Sequence, residues 1–384
     1  MKKRLLTALL AAVMVLVSFA GCSAPQAESP AASEPAASAS EPAASASESA
    51  PASDVTGSSL EEAYASVQGE ATVSLADLPE ATAKEPYKIG AAMTVVSTGW
   101  FKALYDNLEK TLKDAGCDVI IVECEDDVTK QVSQIETLIA QKVDAIIINP
   151  ANPQEALSTV LNQAYEAGIP VVAVDVPPAD DAPYLAACVT DAYQLGYLVG
   201  EELATRLLDM YPEGEIPYGL IGGTDGNSIA AARNEGARAA IKDVDTEGRI
   251  VEKAFLYAGA YSEESGLETA QNMLTANQDL KCIIGTCDAH IVGATRAAEA
   301  LGLSEKLIMG AVDGSKAACE IMMNDGPIVV LGLNNPVEVG EVAARTILGY
   351  LNDGTLPIGK KLVMEPSKVT PDNVKDYYNP DAAW

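Results

Sequence analysis

The sequence predicts an α/β protein with two parallel sheets flanked by helices, and therefore two lobes. From Tyr87 onward, short apolar runs alternate with longer amphipathic stretches. Most of the runs are continuous and β-branched, which is typical of strands that helices cover on both faces. Strand–helix–strand alternation favours parallel pairing with right-handed crossovers. Roughly nine such units are more than one doubly wound sheet ordinarily holds, so two sheets are expected.

The elements are expected at defined places along the chain. Strands are expected at residues 88–93, 119–122, 145–148, 171–174, 218–221, 250–255, 282–284, 307–309 and 328–333. Helices are expected at residues 101–115, 128–141, 153–167, 194–208, 228–241, 262–276, 291–301 and 337–351. The sequence contains no internal repeat of solenoid length.

The first residues resemble a bacterial lipoprotein signal. Lys2, Lys3 and Arg4 precede an uncharged apolar run over residues 5–17, and the small pair Ala20–Gly21 precedes Cys22. The run is shorter than the ~20 apolar residues that a spanning helix needs, and it fits the apolar region of a secretory signal. We expect residues 1–22 to form a lipoprotein signal peptide, with Cys22 carrying the lipid. The alternative is an ordinary cleaved signal with an incidental cysteine.

Residues 23–86 are expected to form a disordered linker. Up to about residue 57 they are mainly Ala, Ser, Pro and Glu with no aromatic residue, a composition that buries too little apolar surface to order the chain. Such a segment suits a tether between a lipid and a folded body. A short helix is foreseen near residues 60–64, but it is not assigned to the core.

The formal net charge is −30 and the chain has a single histidine. An acidic chain lacks the basic face that nucleic-acid phosphates or anionic lipid headgroups require. Nucleic acid is therefore excluded as a partner, and the membrane is expected to be reached through the lipid alone. We expect a monomer.

Beyond Cys22, six cysteines remain: Cys117, Cys124, Cys188, Cys282, Cys287 and Cys319. Outside the cell an even number of cysteines could pair. A body of this size has a core that needs no crosslinks, and a free cysteine behaves as a small apolar residue. We favour buried free thiols.

Polar and aromatic residues follow the expected strands, where ligands bind in open parallel sheets. Trp100 and Phe101 follow the first strand in a chain with few aromatics; they suit stacking on a sugar ring, or else packing at a helix start. Asp175, Asp288 and Asp313 each close an apolar run and could accept hydrogen bonds from hydroxyls or cap helices. Asp288 suits either role.

Arg233 lies one turn inside the helix that follows a glycine-rich loop. Its planar guanidinium can donate to two oxygens at once, although a surface role would be ordinary for an arginine on a helix. The lone histidine, His290, lies on a helix and is expected to be structural or at the rim of the site.

The body resembles type I periplasmic binding proteins of the ribose-binding group. The resemblance runs in order from Tyr87 to the 350s and rests on Lys88–Ile89–Gly90, Trp100–Phe101, residues 143–150 ending in Asn149–Pro150, residues 168–175 ending in Asp175, residues 232–236, Asp288, Val312–Asp313–Gly314 and Asn335–Pro336.

The resemblance implies two Rossmann-like lobes joined by a hinge that the chain crosses three times, near Asp191, Asn334 and Gly354. The N-terminal lobe would comprise residues 87–190 and 335–353, and the C-terminal lobe residues 191–334 and 354–384. The implied ligand-binding residues are Trp100, Phe101, Asp175, Arg233, Tyr261, Cys287, Asp288, Asp313 and Asn334, with Thr94 and Thr98 as further candidates. The chain departs from the ribose binders at Val176, where they have arginine, and at Cys287, where they have asparagine.

The function expected from these features is an extracytoplasmic lipoprotein that captures a small sugar or polyol and delivers it to an ABC permease. No cofactor, metal site or catalytic residue is expected. A receptor for a membrane signalling protein would have the same cleft, and a glycosidase using Asp175 with Asp313 is the alternative among enzymes. The sequence leaves the ligand open among pentoses, hexoses, inositols, furanoses and an amine-bearing polyol.

Overall fold

The computed structural model describes residues 59–95, 99–382 and 384. Within these residues the strands are β1 Glu70–Val73, β2 Lys88–Met93, β3 Asp118–Glu123, β4 Ala145–Ile148, β5 Val171–Val174, β6 Ala186–Thr190, β7 Ile216–Gly222, β8 Ile250–Tyr257, β9 Cys282–Gly285, β10 Ile308–Asp313, β11 Ile328–Leu333, β12 Lys361–Met364 and β13 Lys368–Val369. The helices are α1 Leu60–Ser66, α2 Gly99–Asp114, α3 Val128–Ala140, α4 Ser158–Glu166, α5 Ala192–Met210, α6 Ser228–Val244, α7 Glu263–Ala276, α8 Asp288–Ala300, α9 Lys316–Met323, α10 Pro336–Asp353 and α11 Val374–Tyr377.

The strands form two sheets, one for each lobe. The N-terminal sheet has the order β1-β12-β6-β5-β4-β2-β3 and the C-terminal sheet the order β13-β11-β10-β9-β7-β8. All neighbouring strands pair in parallel except β11 with β13. Buried apolar residues lie on both faces of each sheet, in two clusters per lobe. The predicted α/β fold with two parallel-sheet lobes is confirmed.

The chain passes between the two sheets at three places. It leaves the N-terminal sheet after β6, where Asp191 caps α5 through a bond from the Gln194 amide, and it returns after β11 at Asn334. The third crossing was expected near Gly354, and this is wrong. Gly354 ends α10 with a left-handed φ of 68°, and the chain then runs back through the N-terminal sheet as β12 before it crosses at residues 365–367. Residues 361–364 therefore belong to the N-terminal lobe.

The prediction that residues 23–86 form a disordered linker is wrong for residues 59–86. Helix α1 exists where a short helix was foreseen, and its Ala63 and the following Val67 are buried in the N-terminal core. Strand β1 extends the N-terminal sheet by pairing with β12. Arg345 of α10 donates hydrogen bonds of 3.1 and 3.2 Å to the carbonyls of Leu75 and Leu78. The four-residue spacing of the buried Ala63 and Val67 and the pairing of β1 with the distant β12 order this segment, although its average composition is polar. The signal, Cys22 and residues 23–58 of the linker lie outside the described residues.

Helices α5 and α6 cross at a distance that only glycine permits. A methyl group added at Gly196 would lie 2.0 Å from the Arg233 carbonyl oxygen, and one at Gly200 would lie 2.3 Å from the Ala237 carbonyl oxygen. A methyl at Gly236 would lie 2.0 Å from the Tyr193 carbonyl oxygen. The close crossing places α6, and with it Arg233, against the helix that begins at the hinge.

Replacing Gly200 by alanine is expected to lower the free energy of unfolding by about 1–3 kcal/mol, because the backbones must separate to admit the methyl. Gly349→Ala is the matched control, since its methyl would meet only the Thr355 Cβ, at 3.7 Å. That change in α10 is expected to be neutral or stabilising by up to ~1 kcal/mol through helix propensity. Urea unfolding of both variants tests this; equal stability of the two would contradict the packing argument.

All six cysteines among the described residues are free and buried, as favoured above. Burial raises the pKa of the Cys117 and Cys319 thiols to about 11 and that of Cys188 to about 12. Because the thiolate is the reactive form, these side chains act as inert parts of the core.

Candidate ligand-binding site

The candidate residues lie at the carboxyl ends of the parallel strands of both lobes. In the N-terminal sheet β2 lies between β3 and β4, and in the C-terminal sheet β7 lies between β8 and β9, so the strand order reverses at β2 and at β7. Loops at such reversals leave a crevice where ligands bind. The loop after β2 leads to Trp100, and the loop after β7 leads into α6, which carries Arg233. Strand topology therefore brings these two predicted residues to the binding edges of their sheets.

Arg233 is the central side chain of the site. It is only 8% exposed, its Nη2 lies 3.1 Å from Oδ1 of Asp313, and its Nη1 donates a 3.1 Å hydrogen bond to the Thr286 carbonyl. Its Nε is buried and has no hydrogen-bond partner among the described residues. Two nitrogens hold the guanidinium in place, and the third is a donor left for another acceptor.

Asp175 and Asp313 both have a backbone conformation that is unusual for a residue with a side chain. Their φ angles are 70° and 116°, and such conformations cost on the order of 1–3 kcal/mol each. Each aspartate follows or ends an apolar strand, where the turn in the backbone redirects the side chain. Strain of this kind is concentrated at functional sites, which supports the assignment of both residues.

The carboxyl group of Asp175 interacts electrostatically with Arg233 and with Asp313 across the lobes. Desolvation raises the pKa of Asp175 to about 7; the Arg233 guanidinium opposes this rise and the Asp313 carboxylate adds to it. The site thus holds a carboxyl group that gives up its proton less readily than an exposed aspartic acid.

Asp288 supports the loop that carries Asp313. Its Oδ2 accepts hydrogen bonds from the backbone amides of Gly314 and Ser315, at 3.2 and 2.5 Å. Desolvation, with the neighbouring Asp313 carboxylate second, raises the pKa of Asp288 to about 6, although the Ser315 and Gly314 contacts lower it. The N-cap position of α8 is occupied by Cys287, whose side chain makes no cap bond. Asp288 therefore holds the loop after Asp313 in place and does not cap the helix.

Asn334 connects both lobes at the second crossing. Its Nδ2 donates a 2.9 Å hydrogen bond to Oδ1 of Asp313, and its Oδ1 accepts one of 3.1 Å from the Thr190 hydroxyl. Its carbonyl accepts a 2.8 Å bond from the indole Nε1 of Trp100. A residue at the hinge therefore joins an N-terminal-lobe aromatic to the Arg233–Asp313 pair.

Three aromatic residues of α2, Trp100, Phe101 and Tyr105, form a cluster of contacting rings. Trp100 meets Phe101 edge to face, with ring centroids 5.2 Å apart, and Phe101 stacks on Tyr105 at 6.0 Å. The Tyr105 hydroxyl lies 3.1 Å from the Thr94 hydroxyl and accepts a 3.1 Å bond from the amide nitrogen of Asn149. Thr94 is buried and its hydroxyl contacts the Tyr105 hydroxyl. The structure therefore does not place the Thr94 hydroxyl beside Arg233. Thr98 lies outside the described residues.

On the C-terminal side, Tyr261 stacks on His290, with centroids 5.8 Å apart and planes inclined by 19°. His290 Nε2 lies 2.7 Å from the Ala260 carbonyl, which requires that nitrogen to carry the proton. Burial lowers the pKa of His290, so the ring is neutral and its buried Nδ1, which has no partner in the described chain, is an acceptor. The sequence predicted that His290 is structural or at the rim of the site, and it did not predict that the Nδ1 nitrogen is an available acceptor.

Two residues that form hydrogen bonds with the candidate site residues were not predicted from the sequence. They are Thr190, which bonds to Asn334, and Tyr105, which contacts Thr94. Thr190 ends β6, a strand of small residues with no strong apolar signal, and Tyr105 lies inside α2 as an ordinary core position. Two shallow surface depressions lie elsewhere, one beside Asp106 and Lys110 and one beside Glu155 and Asp180, and neither contains a predicted ligand residue.

The comparison with known families decides the class of protein. A family model described as a periplasmic binding protein domain matches residues 89–355. The chain belongs to the periplasmic binding proteins.

Several relatives of this periplasmic binding protein are known. It is 27% identical over 262 residues to the ribose import binding protein of Bacillus subtilis, covering 68% of this chain and 81% of the relative. It is 29% identical over 309 residues to the D-xylose-binding periplasmic protein of Escherichia coli, covering 77% and 90%. Among solved structures, an ABC transporter periplasmic solute binding protein from Actinobacillus succinogenes with bound D-allose is 25% identical, with a TM-score of 0.68 and coverage of 76% of this chain and 100% of that one.

Membership makes this periplasmic binding protein a ribose-binding-protein-like binding protein and not an enzyme. It also implies an extracytoplasmic location. Among the described residues, every helix is too short or too polar to cross a membrane.

Proposed function

We propose that the chain captures a small sugar or polyol between its lobes and delivers it to an ABC importer while a lipid on Cys22 holds it at the membrane. The observation that carries the proposal is the chain of contacts from Trp100 through Asn334 to Asp313 and Arg233. It joins both lobes at the binding edges of their sheets. The sugar-binding relatives and the D-allose-bound neighbour agree with this class of ligand.

The donors and acceptors at this place suit a polyhydroxylated molecule. Arg233 Nε can donate and His290 Nδ1 can accept, while neither has a partner among the described residues. Charge-assisted bonds to hydroxyls are stronger than neutral ones, and the Trp100 and Phe101 rings can cover the C–H face of a sugar. Because both lobes supply groups, we propose that ligand binding closes them on each other.

Attachment and delivery rest on the N-terminal sequence and on the relatives. A basic start, an apolar run of secretory length and a cysteine after two small residues favour lipidation of Cys22. The relatives include proteins named for ribose import. We propose a monomer that presents the closed, liganded lobes to a permease.

A thermal-shift screen of pentoses, hexoses and inositols tests the proposal, because a ligand that binds only the folded state raises the melting temperature. With the best compound, we expect Trp100 fluorescence to change on titration, since the Trp100 indole bonds to the hinge at Asn334. The Trp384→Phe variant should retain the full change and Trp100→Phe should lose it. A signal that depends on Trp384 alone, or no stabilising compound in the screen, would contradict the proposed site.

A further inference from the structure

The ionisable groups around Arg233 carry more negative than positive charge. Arg233 is paired with Asp313 at 3.1 Å, so these two charges cancel. Asp288 gives its Oδ2 to two backbone amides. Asp175 interacts with this group and, when ionised, adds a negative charge that the Arg233–Asp313 pair does not neutralise.

The neighbouring ionisable side chains are neutral and do not supply the missing cation. Burial lowers the pKa of His290 and raises the pKa of Cys287 and of Tyr261. Residue 176, next to Asp175, is an apolar valine. Among the described residues Arg233 is the one cation that interacts with Asp175, and it already serves Asp313.

The Asp175 carboxylate also lacks hydrogen-bond donors. Its backbone amide bonds to the Cys188 carbonyl, but no described residue donates a hydrogen bond to its side chain. Ionised carboxylates in protein interiors are normally paired or hydrogen-bonded. The carboxylate is therefore an acceptor, and the buried Nε of Arg233, which has no partner among the described residues, is a donor, and both are available to a ligand.

We infer that the ligand is a polyol that carries an ammonium group, with the ammonium bound by Asp175 and a hydroxyl oxygen bound by Arg233 Nε. This inference rests on the proposed function and narrows its class of ligand. With Asp175 ionised, Arg233, Asp313 and Asp175 sum to −1, and one ammonium brings the sum for these three residues to zero; the Asp288 carboxylate is bonded separately by two backbone amides. The ammonium supplies the donors that the Asp175 side chain lacks among the described residues.

A metal ion fits these carboxylates less well than an organic cation. No group of three or more His, Cys, Asp or Glu side chains within the described ranges is placed to hold a metal. Oxygen atoms of both carboxylates are also already bonded. Asp313 contacts Arg233 and Asn334, and Asp288 accepts from backbone amides. Aromatic faces such as Trp100 suit an organic molecule and also attract cations.

The test compares matched pairs by calorimetric titration at pH 7.5 with the full-length folded chain. D-glucosamine is compared with D-glucose, and an aminodeoxy-inositol with myo-inositol; N-acetylglucosamine serves as the uncharged amide. We expect the amine of at least one pair to bind at least tenfold more tightly than its hydroxyl partner, which corresponds to ~1.4 kcal/mol, and acetylation to remove the gain.

Asp175→Asn keeps the shape of the side chain, and asparagine tolerates positive φ, so the variant should fold. We expect the variant to bind the amine and the hydroxyl member of each pair with equal affinity. Asp180→Asn, at an exposed position, removes the same charge from the chain and should retain the preference. Equal binding of amine and hydroxyl partners by the wild type, or a preference that survives Asp175→Asn, would overturn the inference and leave a neutral-polyol binder. Failure of all compounds of both kinds would overturn the proposed function together with it.

Discussion

Arg233→Met is expected to weaken binding of the ligand found in the screen at least a hundredfold and to lower the free energy of unfolding by about 3 kcal/mol, the usual result of removing one partner from a buried ion pair. Methionine retains most of the volume but leaves the Asp313 carboxylate and the Thr286 carbonyl without the guanidinium. Calorimetric titration and urea unfolding measure the two effects.

Arg238→Met is the matched control on the same helix. Arg238 pairs with Glu252 at 2.7 Å, but both side chains are more exposed than those of the Arg233 pair, and such pairs contribute about 1 kcal/mol or less. We expect this variant to bind ligand like the wild type. Unchanged binding by Arg233→Met, or an equal loss in both variants, would remove Arg233 from the site.

The ligand-free protein is expected to become less stable as the pH rises from about 4 to about 7. Asp175 and Asp288 have folded-state pKa values of about 7 and about 6, both raised mainly by desolvation from a reference of 3.8. Between the reference and folded values the folded state binds more protons than the unfolded state. Each group therefore contributes its full stabilisation below about pH 4. The contribution falls by ~1.4 kcal/mol per pH unit as the pH rises from the reference value to the folded pKa, above which it is lost.

Urea unfolding of the wild type and of Asp175→Asn at pH 5 and pH 8 tests this expectation. The other titrating groups are shared by the two proteins, so the difference between them isolates Asp175. The stability of the variant relative to the wild type should be greater at pH 8 than at pH 5. A constant difference at both pH values would show that Asp175 titrates normally.

Local sequence patterns were sufficient for the elements with strong apolar signals. Strands β2, β4, β5 and β11 have the predicted limits, because each is a continuous apolar run between polar turns. Strand β6 was missed because its Ala–Ala–Cys–Val–Thr sequence has small residues, and α9 was missed because it is only 8 residues long. Strands β1 and β12 were missed because their pairing partners are far apart in the chain.

The candidate site was predictable to the extent that it follows from strand direction. The carboxyl ends of parallel strands converge, so Asp175 and Asp313 could be grouped from the sequence, whereas Arg233 joined them only through the family resemblance. The bracing of Asp313 by Asp288 and the three bonds of Asn334 depend on loop geometry that no periodicity encodes. The third crossing was misplaced for a similar reason, since the return of the chain through β12 depends on an edge that β1 completes.

The six unpaired cysteines have a consequence for how the polypeptide matures. Since the six thiols of the described residues are enclosed and unpaired, folding of this part of the chain requires neither an oxidising compartment nor an isomerase to correct wrong pairings. The body can acquire the same conformation on either side of a bacterial membrane. Protein made in a reducing cytosol should therefore reach the same fold in the described part of the chain.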